Sequence, residues 1–183
     1  MGMRLRVFGA LFAAAAGVGL AGHNGVGRFM ALFAVGLLAW TLIEYLLHRL
    51  AFHGFAPHSE HHAVPTDPAF IVAPLWLSLS STALLLAVFS LATGSWTAAA
   101  SIVAGVIAGY LAYEAIHLRI HSQAPGSVVL RALRKHHFYH HFASERVCFG
   151  VTSPLWDWLC GSVPAKLPQR TAADSRTQSR PAV

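Results

Sequence analysis

The chain has 183 residues, of which 55% are hydrophobic and only 11% charged, with a formal net charge of +6. Soluble domains average roughly a quarter charged residues, so this balance excludes an ordinary water-soluble globule and points to lipid as the solvent. The basic residues do not gather between aromatics into one patch, which excludes a nucleic-acid partner, and two cysteines outside any C-x-x-C motif exclude a disulfide framework.

Four apolar stretches follow in chain order: Leu5–Leu20, Phe29–Leu47, Ala69–Ala92 and Trp96–Ile116. A spanning helix needs about 20 mostly apolar residues, so the last three qualify on length and the first is marginal. Glycines over 22–27 punctuate the first pair, and Thr93–Ser95 makes a very short turn between the last two, so each pair is expected to run antiparallel. Pro74 is expected in the first turns of the third helix, where a missing N–H costs little. Gly105 and Gly109, four apart, give the fourth helix a face that another helix can approach closely.

With the N-terminus inside, the outer loops contain only Arg28 of the 13 basic residues. That asymmetry is the positive-inside pattern. A competing reading takes "MGMRLRVFGALFAAAAGVGLAG" as a cleaved secretory signal, with its basic start and apolar centre. The consistent placement of charge over four spans favours a retained first span. Residues 1–165 are expected to form one membrane-embedded unit and 166–183 a polar, disordered tail. The expected class is an all-α, multi-pass integral membrane protein of four helices, with a helical cap on the cytoplasmic side.

Of 12 histidines, His23 alone falls on the outer side, in a glycine-rich turn, and reads as a solvated loop residue. The others follow the second or fourth span: "HRLAFH" (48–53), "HSEHH" (58–62), "HLRIH" (117–121) and "RKHHFYHHF" (134–142). His58/His61/His62 and His137/His140/His141 repeat an i, i+3, i+4 spacing, which shares one helical face, and His117/His121 is an i, i+4 pair. His48 and His53, about 140° apart on a continuous helix, converge only if the helix ends or bends between them. Neutral imidazole is the commonest side-chain metal ligand. Groups of histidines separated by a whole hairpin, yet returning to one side at helical spacings, point to a structured metal site. Ten exceed what one first-row ion accepts, so two ions with about five ligands each are expected. Nitrogen-rich coordination suits iron, while geometry also admits zinc or copper.

Glu44 precedes His48 by four residues and Glu114 precedes His117 by three, each the only acidic residue of its span. Intramembrane carboxylates are costly and usually functional. Each is expected to accept the second ring N–H of a ligand, fixing its tautomer. Asp67 and Glu60 are weaker candidates for the same role.

These boxes, followed by "FGVTSPLWDWLCG", resemble those of the fatty acid hydroxylase/sterol desaturase superfamily, most closely the fatty acid 2-hydroxylase branch, over His48–Gly161. The resemblance implies an O2-dependent hydroxylase of a lipid acyl chain with two Fe ions, for which zinc can substitute in purified protein. It implies His48, His53, His58, His61, His62, His117, His121, His137, His140 and His141 as ligands. His136 falls outside that set and is expected to support a ligand from behind. The gap from His53 to His58 is shorter than in the larger eukaryotic members, which allows for a displacement of one of the two. No cytochrome b5-like segment lies in these residues, so electrons are expected from a separate ferredoxin or cytochrome. Arg131, Arg134 and Lys135 would meet either that donor or anionic headgroups. Trp156 and Trp158 are expected to anchor a C-terminal cap at the membrane interface. Other readings are a carotenoid or sterol hydroxylase or desaturase of the same superfamily, and a divalent-metal transporter. Transporters place polar residues near the bilayer midplane, unlike the one-sided clusters here.

Overall fold

The computed structural model describes residues 2–22, 25–122 and 126–164. His23 and the expected tail at 166–183 lie outside the described residues. In chain order the helices are α1 (Gly2–Ala21), α2 (Val26–Leu46), α3 (Ala56–Ala63), α4 (Pro68–Ile71), α5 (Leu75–Thr93), α6 (Trp96–Ser122), α7 (Val128–Phe142) and α8 (Leu155–Leu159), with no strand among the described residues. Four helical segments are long and apolar enough to cross a membrane: Gly2–Ala21, Val26–Gly54, Pro68–Thr93 and Trp96–Ser122. Leu38, Trp76, Leu84 and Leu91 lie exposed on their outer faces, a surface that lipid solvates and water does not.

α6 is the central helix, packed against α1, α2 and α5. Its glycines explain how closely α2 approaches. A Cβ on Gly105 would stand 2.1 Å from the Phe33 carbonyl oxygen, and one on Gly36 would stand 2.0 Å from that of Ile102. Gly109 meets Trp40 in the same seam. With no hydrophobic driving force between helices in lipid, such backbone contact supplies much of the attraction. α1 is part of the same bundle: Phe8 is fully buried, its ring 4.9 Å from that of Tyr110.

Two departures from the expected helices shape the interior. The third span is broken, with α4 ending at Ile71, Val72 extended and Pro74 capping α5. Pro74 therefore starts a helix rather than sitting inside one, because its ring pushes the preceding residue out of the α region. The second span does bend between its two histidines. Leu47–Ala51 forms a π-helical turn and Phe52–Gly54 a 3-10 turn. The wider π turn brings residues five apart nearly into line, and the His48 and His53 rings stack 5.7 Å apart, 7° from parallel. α6 runs on past Ile116 to Ser122, which keeps His117 and His121 on one rigid element.

Candidate metal centre

Nine histidines converge in two groups. His61, His117, His121, His137 and His141 offer nitrogens within 4.8 Å of one another, and so do His48, His58, His62 and His140. Each short helix contributes to both. On α3, His58 and His62 turn one way and His61 the other. On α7, His137 and His141 join the first group and His140 the second.

The distances identify these contacts as something other than hydrogen bonds. His137 Nε2 lies 3.0 Å from His117 Nε2, 2.9 Å from His121 Nε2 and 3.0 Å from His141 Nε2. A ring nitrogen carries one proton or one lone pair, so it cannot satisfy three equivalent nitrogens at once. Nitrogens about 2.1 Å from a shared cation and at right angles to each other stand about 3 Å apart, which is the spacing here. In the second group His58 Nε2 and His62 Nε2 are 3.1 Å apart. His48 and His140 give their Nδ1 atoms to the carbonyls of Phe149, at 2.5 Å, and Val147, at 2.9 Å. That leaves their buried Nε2 atoms without a hydrogen-bond partner among the described residues. An N–Hδ1 bonded to a carbonyl leaves a lone pair at Nε2, the form a metal requires.

Electrostatics agree. Burial, reinforced by neighbouring imidazoles, pushes His58 down to about 2, His61 to about 3 and His140 to about 4. His62, His137 and His141 are lowered for the same leading reason. These rings are therefore neutral donors at physiological pH. The residues present fit two cations.

The remaining expected residues are placed as follows. His53 packs against the second group, 5.1 Å from the His140 ring, yet stays outside the set whose nitrogens converge. It faces Glu145 at 3.8 Å. His136 Nε2 lies 3.0 Å from the buried Asp157 carboxylate. Among the described residues, neither span glutamate receives an imidazole N–H. Glu44 accepts the N–H groups of Val151, at 2.5 Å, and Thr152, at 2.8 Å, and the Thr152 hydroxyl. Glu114 pairs with Arg4 at 2.6 Å and accepts from Tyr110. The reason is reach: each carboxylate sits a turn short of the rings, where a loop amide or an arginine meets it first. The acceptor role falls instead to the carbonyls of Val147 and Phe149, while Glu145 lies 3.3 Å from His62 Nδ1. Asp67 caps α4, accepting from the Ala69 N–H at 2.9 Å.

Asp157 is the functional residue that the sequence reading passed over. It is fully buried and accepts from His136, Ser162 and the N–H groups of Phe149 and Gly150. Burial alone would raise its carboxyl, but those donors hold it below its ordinary value. Its only signal was an aspartate between two tryptophans in an otherwise apolar run. Cys148 beside it is buried, and burial pushes its thiol up to about 12, so it stays protonated.

A fatty acid hydroxylase family model matches residues 33–162. The chain belongs to that family. Dihydroceramide fatty acyl 2-hydroxylase FAH2 of Arabidopsis thaliana is 34% identical over 147 residues, covering 72% of this chain and 60% of its own length. Fatty acid 2-hydroxylase of Homo sapiens is 32% identical over 158 residues, covering 76% and 41%. Ceramide very long chain fatty acid hydroxylase SCS7 of Saccharomyces cerevisiae is 36% identical over 148 residues, covering 72% and 37%. Among solved structures, full-length scs7p, with only its hydroxylase domain visible, superposes with a TM-score of 0.79 at 31% identity, covering 91% of this chain and 68% of that one. The chain spans about two fifths to three fifths of the length of these curated relatives. In this member of the family, then, the fold is all-α with four apolar helices that fit a membrane protein, and its histidine clusters could bind metal.

Proposed function

We propose that this chain is an O2-dependent hydroxylase of lipid acyl chains. Nine converging histidines would hold two iron ions, with His53 at the edge of the second set. When bound, the metals supply the activation of O2 that a C–H bond requires. The balance is one C–H bond and one O2, with two electrons and two protons, giving one C–OH and one water. The electrons come from a separate ferredoxin- or cytochrome-type donor, reaching the metals from the cytoplasmic side where the basic residues gather.

The observation that carries the substrate reading is a row of neighbouring apolar cavities that ends beside the histidines. A cavity of about 120 Å³ is lined by Trp40, Ile43, Leu47, Leu85 and Ile107, among others. It shares Phe52, Ala73, Leu77 and Tyr113 with a smaller cavity whose walls include His58, His61 and His117. A third apolar cavity shares Thr82 and Ile107 and continues to Val103. Ten residues of α6 separate Tyr113 from Val103, about 15 Å of helix rise. An acyl tail laid along these neighbouring cavities would have its head at the interface and an early carbon at the histidines. The relatives named 2-hydroxylases agree with an oxygen entering near the head. The chain's own part is to bind and orient that tail, exclude water with Phe52, Leu77 and Tyr113, and hold the histidine rings neutral.

Lipids from cells expressing the chain under 18O2 test this reading. We expect acyl chains carrying one oxygen atom derived from O2, absent from cells without the chain. Hydroxyl oxygen drawn from water, or no new hydroxylated lipid, would overturn it.

A further inference from the structure

The segment Val147–Thr152 connects to more of the molecule than a loop needs. Its five consecutive N–H groups from Cys148 to Thr152 are all bonded. Cys148 donates to the Ser162 carbonyl at 2.8 Å. Phe149 and Gly150 donate to Asp157 at 2.9 and 2.8 Å, and Val151 and Thr152 donate to Glu44 at 2.5 and 2.8 Å. Two carbonyls of the same segment, on Val147 and Phe149, accept from His140 and His48. Cys148 between them has a φ of 61°, a left-handed conformation uncommon for a residue with a side chain. Gly150 is required as well, because a Cβ there would stand 2.1 Å from the Ser153 carbonyl oxygen.

The distribution over the two histidine groups is uneven. The ring atoms held by this segment belong only to the four-membered group. In the five-membered group the Nδ1 atoms of His61, His137 and His141 have no hydrogen-bond partner among the described residues, and His117 is turned to the Ile71 carbonyl, outside this segment.

We propose that residues 147–152 form a backbone harness that sets the ring orientation of His48 and His140, with Glu44 and Asp157 as its anchors. The two carboxylates are positioning residues: they touch no histidine of either group, and act through peptide groups on the ligands of one metal only. Glu44 fixes the far end of the segment to α2, and Asp157 fixes its middle to α8 and to His136. The left-handed turn at Cys148 aims both flanking carbonyls at rings. This inference rests on the metal-binding reading proposed above.

The geometry makes the two conservative variants behave differently. Glu44→Gln keeps one oxygen for both backbone N–H groups, and its amide can donate to the Thr152 hydroxyl. Asp157→Asn cannot do this, because each of its two oxygens already receives two donors, so the new NH2 must face an N–H.

The full chain, purified in detergent and stripped of metal, is titrated with Co2+, following bound metal per chain and the visible absorption of each equivalent. The wild type is expected to take two ions. Asp157→Asn is expected to keep the tighter ion and bind the other about 10–100-fold more weakly, the usual cost of losing an outer partner. Glu44→Gln is expected to bind both as wild type does. Two ions bound by Asp157→Asn with unchanged affinity and spectrum would overturn the harness. Equal loss of both ions from a folded Asp157→Asn protein would overturn it too. A wild type that takes fewer than two ions would instead overturn the metal reading beneath it. Amide exchange on the wild type gives a second measure that does not depend on the variants folding. Protection at 148–152 should rise on filling the four-histidine group and not the other, and no rise overturns the proposal.

Discussion

The two histidine groups use the same side chain under different constraints. The five-membered group draws His117 and His121 from α6, a helix of 27 residues that is the bundle's central element. The four-membered group draws His48 from a π turn at the end of α2, and its other members from the two short cap helices. Where the ligands sit on a long buried helix, its packing orients them, with the Ile71 carbonyl beside His117. In the other group, loop carbonyls orient His48, at a distorted helix end, and His140. The glutamates follow the same division. Glu114 on α6 is tied to α1 through Arg4, and so belongs to the packing of the spans. Glu44 on α2 is tied to the loop beneath the second group. Equivalent positions in sequence serve the membrane bundle in one case and the cap in the other.

Removing a ligand from each group gives the largest contrast. His137→Ala takes away the nitrogen closest to three others and is expected to reduce hydroxylation more than about 100-fold, beyond what an outer partner costs. His140→Ala is expected to abolish turnover as well, because the proposed reaction uses both ions. Metal analysis separates the two. Each variant should keep about one ion per chain, and the retained ion should have a different absorption spectrum in each. Identical spectra for the ion left in the two variants would mean that the groups are not independent.

The next effect concerns the bundle. Arg4 reaches Glu114, the Tyr110 hydroxyl and, at 2.5 Å, the Ala73 carbonyl, which lies in the break between α4 and α5. Breaking a buried pair by removing one partner costs about 3 kcal/mol or more, because the other charge is left uncompensated. Arg4→Met is therefore expected to lower stability in detergent by about that amount. Arg4→Met combined with Glu114→Gln should recover part of the loss. Ion content should stay at two in both, which separates this side of the molecule from the loop side.

How much of this was legible in the sequence follows from the range of each interaction. The histidine spacings are local, so the convergence of α3, α6 and α7 could be read from them. The need for a bend between His48 and His53 could be read as well, since five residues do not align on an α-helix. Two centres were expected from the number of histidines, but which histidine joins which group could not be read. Positions i, i+3 and i+4 count as one face in a sequence, but they diverge enough for His61 and His140 to point at the opposite centre from their neighbours. Partner choice was least legible. Arg4 and Glu114 are 110 residues apart and Glu44 and Thr152 are 108 apart, and only the packed bundle brings either pair together. Asp157 needed α8 to fold before its oxygens could face the loop amides.

His53 sharpens the boundary of the four-membered group. It lies beside His48, His58 and His140 but outside the convergent set, and it faces Glu145. His53→Ala is expected to leave two ions bound and to lower turnover about 10-fold, as an outer partner does. A fall to one ion would make it a fifth ligand and the two groups equal.

The smallest effect tests how the cap is joined to the spans. Trp156 Nε1 donates to the Thr41 hydroxyl on α2 at 3.0 Å, whereas Trp158 is 65% exposed. The two tryptophans are thus unequal: one is hydrogen-bonded to a span and the other meets the surrounding medium. A neutral hydrogen bond contributes about 1 kcal/mol net, so Trp156→Phe should lower the unfolding midpoint slightly. Trp158→Phe, which keeps an aromatic ring at the interface, should leave that midpoint nearly unchanged. Thr41→Val also gives up the hydroxyl's own bond to the Leu38 carbonyl and should cost somewhat more than Trp156→Phe, and the double variant no more than Thr41→Val, because the shared bond is lost once. Additive losses would show that Trp156 holds the cap by packing alone, and α8 would then be free to shift relative to α2. In that event the anchoring of Asp157 would fall wholly to His136, Ser162 and the loop amides.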